Sequence, residues 1–478
     1  MKLKKILALP LAALFSLTIV PVHAEQEIKP QVGHKQQPNF IVILTDDQGY
    51  GDVGFNGSKD IFTPNIDRIA NEGTKFTNGY VTYAVCGPSR AGLLTGRYQG
   101  RFGFGRNPII DPTDANSGLP LEEQMISEVL KPLGYTSSII GKWHMGTHEK
   151  FRPNKRGFDH FYGFLSGGHK YFPENLTIDV IENAKKDWSW YNTKIMENNK
   201  RVEIDEYLTD ELSHEAIKFI EREKDNPFFL YLAYNAPHTP LQASQEYLDR
   251  NTHIKDKKRR TYAAMVTAVD DGVGRILTKL DALGIDENTM VIFLSDNGGA
   301  SNKGSNNGEL RGFKGGYFEG GIHVPFAIRW PGKVPAGVDY KNPVSSLDIL
   351  GTFAGITNAP IAKERPLDGV NLMPFITGKD KGIPHEVLFW RAFDQGTLAT
   401  RRGDSKAINS DRDGNHLFNL ASDLSESKNL LKDNTQQYLQ QMQEVKAWES
   451  ELIDPIFKPL QGRHVDNKKR KKNQKSKG

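Results

Sequence analysis

Four short apolar segments, each followed at once by a polar cluster, constrain the fold more than any other feature of the sequence. The segments are rich in Val, Ile and aromatic residues and lie at 40–44, 135–140, 228–234 and 290–294. Because polar residues do not alternate within them, they are typical of strands buried on both faces of a parallel sheet. Helical patterns separate them, at 122–130, 207–223 and 261–283. This order predicts an α/β fold with a large, mostly parallel sheet sandwiched by helices.

The pattern changes after residue 383. Short candidate strands at 387–392, 398–402, 405–408 and 416–419 precede a candidate helix at 435–451. They predict a smaller antiparallel sheet with a helix packed against it. The expected organisation is a leader at 1–24, a large α/β domain at 25–383, an α+β subdomain at 384–460 and a basic tail at 461–478.

The first residues have the composition of a secretory signal peptide. Three lysines precede an apolar run at 6–20, and V-H-A precedes Glu25. The alternative, an uncleaved membrane anchor, is disfavoured because a span needs about 20 apolar residues. We therefore predict export to the periplasm or beyond the cell, without stable membrane insertion.

The formal net charge of +4 does not describe the body of the protein. The leader holds three lysines, and residues 464–478 hold seven basic residues and one aspartate, so the remainder carries −5. An exported protein without a basic patch inside the fold is not expected to bind nucleic acid. The tail lacks a group of apolar residues that could pack against the fold. We interpret it either as a segment that increases solubility or as a tether to polyanions.

Two of the four polar clusters predict a metal site. Asp46 and Asp47 follow the first strand, and Asp296 and Asn297 follow the fourth. Ligands bind beyond the carboxyl ends of such strands, and four oxygen donors favour a hard cation. Calcium is the first candidate and magnesium the second, while the lack of a nearby His/Cys cluster argues against zinc.

Cys86 is the only cysteine in the 478 residues, so it cannot form an internal disulfide. It stands before Pro88 and a short candidate helix at 89–95 that Gly96 ends. A helix N-terminus stabilises an anion, which suggests a thiolate nucleophile. A small buried apolar residue is the alternative reading.

Cationic and imidazole side chains also occur in these loops. They are Arg90, Lys142, His144, His238 and Lys314. If they converge with a divalent metal at one edge of the sheet, they form a pocket for a tetrahedral oxyanion.

The segment C-G-P-S-R-A-G-L-L-T-G-R resembles the C-x-P-S-R-x-x-x-L-T-G-R signature of formylglycine-dependent type I sulfatases, of the alkaline-phosphatase-like superfamily. G-K-W-H, A-P-H, S-D-N-G and F-K-G-G-Y-F-E-G-G follow in the family's order, so the resemblance covers residues 39 to about 433. It implies that Cys86 is oxidised to formylglycine (3-oxoalanine) by a formylglycine-generating enzyme or an anaerobic maturase. The hydrated aldehyde would attack sulfur and then release sulfate by elimination.

The same resemblance implies roles for individual residues. Asp46, Asp47, Asp296, Asn297 and the modified Cys86 would hold calcium; Arg90 and Lys142 would stabilise the alkoxide; His144 would accept a proton during sulfate release; His238 and Lys314 would bind sulfate oxygens, with His238 protonating the leaving alcohol.

The expected substrate is a sulfated oligo- or polysaccharide. Carrageenan comes first, with ulvan and glycosaminoglycans next. Arg101, Arg106, His169, Lys170 and Arg391 lie outside the shared motifs and are candidates for binding neighbouring sulfates or carboxylates. Two alternatives stay open: a phosphonate or phosphodiester hydrolase of the same superfamily, and a catalytically silent polyanion-binding protein. The sequence leaves the oligomeric state open.

Overall fold

The strand-rich segments form three sheets. The computed structural model describes residues 37–184 and 188–458; the predicted leader and basic tail lie outside them. The strands are β1 (Asn39–Thr45), β2 (Thr74–Phe76), β3 (Gly79–Tyr80), β4 (Thr136–Lys142), β5 (His160–Phe164), β6 (Ile195–Glu197), β7 (Lys200–Val202), β8 (Phe228–Ala233), β9 (Thr289–Ser295), β10 (Phe326–Arg329), β11 (Val338–Tyr340), β12 (Val344–Ser345), β13 (Val387–Ala392), β14 (Thr397–Arg402), β15 (Ser405–Ser410) and β16 (Gly414–Asn419).

The helices lie mainly between the strands of the large sheet. They are α1 (Pro64–Asn71), α2 (Cys86–Thr95), α3 (Ile126–Leu130), α4 (Leu208–Glu223), α5 (Gln245–Arg250), α6 (Lys257–Leu283), α7 (Glu319–Ile322), α8 (Asp348–Thr357), α9 (Met373–Ile376) and α10 (Thr435–Glu449). None of the helices within the described residues combines the length and apolar character that crossing a membrane requires.

The large sheet has the strand order β11-β2-β10-β9-β1-β8-β4-β5-β6-β7. Its centre, β9-β1-β8-β4-β5, is parallel throughout. Strand β1 shows why an unbroken apolar run forms such a strand. Phe40, Val42 and Leu44 enter one core while Ile41 and Ile43 enter the other. Burying each such side chain stabilises the fold by about 1.5–3 kcal/mol, so both faces hold the strand in register.

Helices cover both faces of the large sheet. Phe353 of α8 packs in one core, and Val269 and Leu277 of α6 pack in the other. The small sheet, β13-β14-β15-β16, is antiparallel, and α10 packs on it through Val445 and Trp448. The predicted α/β fold with a smaller antiparallel sheet is confirmed; the domain boundaries at 383/384 and 460/461 stay predictions.

Three predicted helices begin elsewhere. The helix expected at 261–283 begins at Lys257, because the Asp256 carboxylate accepts from the Arg259 N–H and caps it. The helix expected at 122–130 begins only at Ile126, where the Glu128 carboxylate accepts from the Met125 N–H and caps the helix. The preceding Glu123 is buried, with its carboxylate bound by Arg97 and its carbonyl by Arg156. Helix α2 begins earlier than expected, at Cys86, and ends where Gly96 takes a left-handed conformation with φ of 63°. Pro88 is therefore the third residue of this helix.

Candidate active site

The carboxyl ends of four adjacent parallel strands bring the predicted residues together. Asp46 and Asp47 follow β1, and Asp296 follows β9, whose last residue pairs with the last residue of β1. The Asp47 N–H donates to Asp296 Oδ1 at 3.3 Å. Strands β8 and β4 contribute His238 and Lys142, so one edge of the sheet carries donors from all four polar clusters.

Cys86 lies at the centre of this edge, as the first residue of α2. Its Sγ is 3.3 Å from Asp46 Oδ1 and 3.3 Å from Lys314 Nζ. Burial, and then the charge of Asp46, raise the pKa of the thiol to about 12. Burial and the charge of Asp46 thus both disfavour the thiolate of the unmodified residue, and the interpretation of Cys86 as a nucleophile stays a prediction.

Three cations neutralise the three carboxylates. Arg90, one turn along α2 from Cys86, donates from Nε to Asp296 Oδ2 at 2.8 Å. Lys142 Nζ lies 2.5 Å from Asp46 Oδ2, and Lys314 Nζ lies 2.5 Å from Asp47 Oδ1. Arg90 and Lys142 are fully buried, whereas 20% of the Lys314 side chain is exposed.

Two histidines, His144 and His238, lie within the field of these charges. His238 Nδ1 donates to the Thr239 carbonyl at 2.6 Å, which leaves Nε2 3.7 Å from Asp47 Oδ2. Burial lowers the pKa of His238 to about 3, and burial with Lys142 and Arg90 holds the pKa of His144 well below its usual value. Both rings are therefore neutral here, and each has a nitrogen able to accept a proton.

Backbone strain marks the same place. Asp47 and His144 are non-glycine residues with φ of 64° and 61°. Side chains disfavour this left-handed region, and such conformations concentrate at functional sites.

The residues fit a divalent cation. Donor atoms of Asp46, Asp47, Cys86 and His238 all lie within 4.8 Å of one another. In addition, Asn297 donates from Nδ2 to Asp47 Oδ1 at 2.8 Å, while its buried Oδ1 accepts no hydrogen bond. A buried acceptor without a donor is costly, and a metal ion beside the carboxylates would satisfy it. Cys86 and His238 belong to this set, so the expectation that no His/Cys cluster lies near the site is wrong. The oxygens of Asp46, Asp47 and Asn297 still favour a hard cation.

A supporting network beneath the site was not predicted. Asp52 is fully buried and its Oδ2 accepts from Gly49 N, Tyr262 Oη and Asn306 N at 2.7–3.1 Å. Its Oδ1 lies 2.6 Å from Arg259. Asp52 thus fixes the loop that carries Asp46 and Asp47. The only sequence signal for it is its place at the end of T-D-D-Q-G-Y-G-D.

The predicted substrate-binding residues do not share one environment. Arg101 is bound by Asp368 and Glu451 at 2.7–3.0 Å, and Arg106 by Asp394 at 2.5–2.7 Å. These contacts give both arginines partners within the protein, and their role toward substrate stays a prediction.

Of the other three candidates, His169 is fully buried with Nδ1 at 2.9 Å from the Lys170 carbonyl, so it does not reach a substrate in this conformation. Arg391 donates to the Ile453 carbonyl at 2.7 Å. Lys170 is half-buried and pairs with no carboxylate of the described residues.

Comparison with known proteins places this site in a family. The sulfatase family model matches residues 38–359, so the chain belongs to the sulfatase family and is an enzyme that hydrolyses sulfate esters. The resemblance seen in the sequence is confirmed.

The chain is similar over most of its length to individual sulfatases and to a solved structure. The chain is 37% identical to the N-acetylgalactosamine-6-sulfatase of Mus musculus over 390 residues, which cover 78% of this chain and 72% of the relative. It is 34% identical to the uncharacterized sulfatase YdeN of Escherichia coli over 411 residues, 74% of this chain and 69% of the relative. The crystal structure of Ps i-CgsB in complex with k-i-k-neocarrahexaose matches with a TM-score of 0.84 and 41% identity, over 90% of this chain and 96% of that one.

Proposed function

We propose that the protein is an exported, calcium-dependent carbohydrate sulfatase that uses a formylglycine made from Cys86. The observation that carries the proposal is the convergence of Cys86 with three cations and two neutral histidines at one edge of the sheet. These groups can bind and orient a tetrahedral anion.

The proposed roles of the cationic and histidine side chains differ with how deeply each one is buried in the site. Arg90 and Lys142 lie fully buried among the carboxylates, so they hold the floor of the site in place. Lys314 and His238 have 20% and 11% of their side chains exposed. They therefore line the entrance, where they can contact the oxygens of an incoming sulfate ester.

The group derived from Cys86 would supply an oxygen nucleophile that can be regenerated by elimination, and Asp46, Asp47, Asp296 and Asn297 would hold the calcium ion that lowers the cost of charge on it. His144 is neutral and fits the proton acceptor of the sulfate-release step. Arg90 and Lys142 fit as the charges that stabilise the nucleophilic oxygen.

His238 fits the acid that protonates the leaving alcohol. Its Nε2 faces the cluster because Nδ1 is held by the Thr239 carbonyl. Burial disfavours the imidazolium, but a bound sulfate anion favours it. The substrate itself would thus bring His238 toward the protonated form that this step needs.

The similarity to Ps i-CgsB, whose structure contains a neocarrahexaose, supports carrageenan as the first substrate class, with ulvan and glycosaminoglycans next. The apolar leader supports export to the periplasm. A maturase that oxidises Cys86 is the partner this chemistry requires.

The test is desulfation of defined carrageenan, ulvan and glycosaminoglycan oligosaccharides by protein whose Cys86 aldehyde has been verified by mass spectrometry. We expect sulfate release from the carrageenan oligosaccharides and none by Cys86→Ala. Hydrolysis of phosphodiesters without hydrolysis of any sulfate ester would overturn the proposal in favour of the phosphodiesterase alternative.

A further inference from the structure

Three aromatic side chains cluster on a short surface turn. Trp190 and Tyr191 belong to the 3-10 helix Ser189–Asn192, and Trp188 precedes it with φ of 58°. Their ring centroids are 5.1–6.3 Å apart. Trp188 is 59% exposed, although aromatic rings of this size gain most from burial. A partly exposed aromatic cluster of this kind is typical of a binding surface.

A five-residue segment, 167–171, connects this cluster to the catalytic histidines. A Cβ added to Gly167 would lie 2.6 Å from His144 Nε2, and one added to Gly168 would lie 2.4 Å from Tyr191 Oη. Each glycine thus allows one of these side chains to approach the backbone. Consecutive Cα atoms are about 3.8 Å apart, so the Tyr191 hydroxyl lies within roughly 12 Å of the His144 ring.

The rest of the segment makes the same connection through hydrogen bonds. The Lys170 N–H donates to the Tyr191 carbonyl at 3.0 Å. The Tyr171 hydroxyl donates to the His238 carbonyl at 2.7 Å. The aromatic turn is therefore held against the entrance of the active site by a contiguous piece of chain.

Of the three aromatic residues, Tyr191 lies nearest the proposed catalytic residues. Burial raises the pKa of its hydroxyl, and the negative charge of Asp46 raises it further. Trp188, the most exposed of the three, lies at the solvent end. The cluster thus extends from the active site toward solvent, where sugars flanking the sulfated ring can lie.

Lys170 adds a charge to this surface. Unlike Arg101 and Arg106, which are bound by carboxylates, Lys170 pairs with no acidic side chain in the parts of the chain that the structure describes. We expect its ammonium to pair with an anionic group of a ligand.

We propose that Trp188, Trp190 and Tyr191 form, with Lys170, a subsite for a sugar ring adjacent to the one that loses its sulfate. The aromatic faces pack against the apolar C–H face of the pyranose, and Lys170 binds an anionic substituent of the ring. The inference rests on the proposed carbohydrate sulfatase function and names the surface that recognises the oligosaccharide.

The test separates binding from turnover. Cys86→Ala protein is titrated with a carrageenan hexasaccharide by calorimetry, alone and with Trp188→Ala or Lys170→Met added. We expect Trp188→Ala to weaken binding roughly tenfold, the scale of a lost aromatic stacking partner. Lys170→Met should weaken it by an amount that shrinks as salt is raised. Phe62→Ala, which removes an aromatic ring that is 66% exposed and whose centroid lies 5.6 Å from that of His253, is the control and should change nothing.

Turnover supplies the second readout. The second measurement uses protein that is not mutated at position 86 and whose Cys86 has been converted to formylglycine. In this protein, Trp188→Ala should raise KM for the hexasaccharide and leave kcat/KM for 4-nitrophenyl sulfate within twofold. Equal binding by the Trp188→Ala and parent proteins, equal losses on both substrates, or no hexasaccharide binding by Cys86→Ala would each overturn the subsite. Failure of the wild-type enzyme to hydrolyse any sulfated oligosaccharide would instead overturn the proposed substrate class, independently of the binding result.

Discussion

Two clusters of buried charge, one at the active site and one at the small sheet, differ in how their buried oxygens are paired and in their access to solvent. The active-site cluster comprises Asp46, Asp47, Asp296, Arg90, Lys142 and Lys314. The second, which we call the Glu319 cluster, comprises Tyr80, Glu319, His323, Arg401, Lys406 and Glu426. Glu319, His323, Lys406 and Glu426 are each fully buried.

The Glu319 cluster joins the small sheet to the segment that carries Lys314. Lys406 of β15 lies 2.7 Å from Glu319 Oε1 and 2.8 Å from Glu426 Oε1. The other Glu319 oxygen accepts from Tyr80 at 2.5 Å and lies 2.9 Å from His323 Nδ1. Burial alone would raise the pKa of Glu319, but Lys406 and His323 outweigh it and hold that pKa well below its usual value.

The comparison shows that buried charge alone does not identify an active site. In the Glu319 cluster, both oxygens of Glu319 have protein partners, and Glu426 Oε1, which accepts no hydrogen bond, lies 2.8 Å from the Lys406 ammonium. The side chains of Glu319, His323, Lys406 and Glu426 are closed to solvent. Beside the active-site cluster, the buried Asn297 Oδ1 accepts no hydrogen bond, and Lys314 of the cluster is partly exposed. Access to solvent, together with a buried amide oxygen that has no hydrogen-bond donor, distinguishes the site for chemistry from the structural cluster.

Removing one carboxylate of the active-site cluster should have the largest effect on activity. Asp46→Asn deletes a proposed calcium ligand and leaves the buried Lys142 without its counter-charge. We expect kcat/KM for a sulfate ester to fall by more than about 100-fold, together with loss of any rise in Tm on calcium addition. Asp281→Asn, at a surface ion pair with Arg68, is the control; an active Asp46→Asn enzyme that calcium still stabilises would contradict the site.

The matching change in the Glu319 cluster should affect stability instead. Lys406→Met leaves two buried carboxylates without their shared cation, which typically costs about 3–5 kcal/mol. We expect the free energy of unfolding in urea to fall by that amount, while any calcium-dependent rise in Tm is kept. A loss below 1 kcal/mol, or loss of the calcium response, would remove the distinction between the clusters.

The smallest effect is a change in pH dependence at Glu426. Burial raises the pKa of this carboxyl from 4.5 to about 7, although Lys406 opposes the shift. Between these values the unfolded chain binds fewer protons there than the folded protein, so Glu426 lowers the free energy of unfolding as pH rises from 4.5 to 7. Glu426→Gln should remove this decline, as measured by urea unfolding across that range. Glu444→Gln, at the partly exposed pair with Arg402, should follow wild type, and an unchanged decline in Glu426→Gln would contradict the assignment.

Much of the fold was predictable because its strongest signals are local. The apolar runs at 40–44 and 290–294 are buried on both faces, and their polar ends meet because the strands are parallel neighbours. The role of the segment around Cys86 could also be predicted, because the residues of its motif are consecutive in the sequence. These signals sufficed to predict the groups around Cys86.

Contacts between distant parts of the chain were not predictable. Arg101 pairs with Asp368, which lies 267 residues away, and nothing near either residue indicates the other. The raised pKa of the Cys86 thiol depends on burial that only the folded structure reveals. The Glu319 cluster likewise forms only when the small sheet packs against the segment after Lys314.

The central claim is that Cys86 acts after conversion to formylglycine, and its most direct test compares sulfate release with the aldehyde fraction of Cys86. Protein produced with and without a maturase can be quantified by peptide mass spectrometry and assayed on the same sulfated oligosaccharide with calcium. The account predicts that activity rises in proportion to the aldehyde fraction and is absent from unmodified protein and Cys86→Ala. Equal activity of the unmodified thiol form, or no sulfate release by fully converted protein on any sulfate ester, would contradict it.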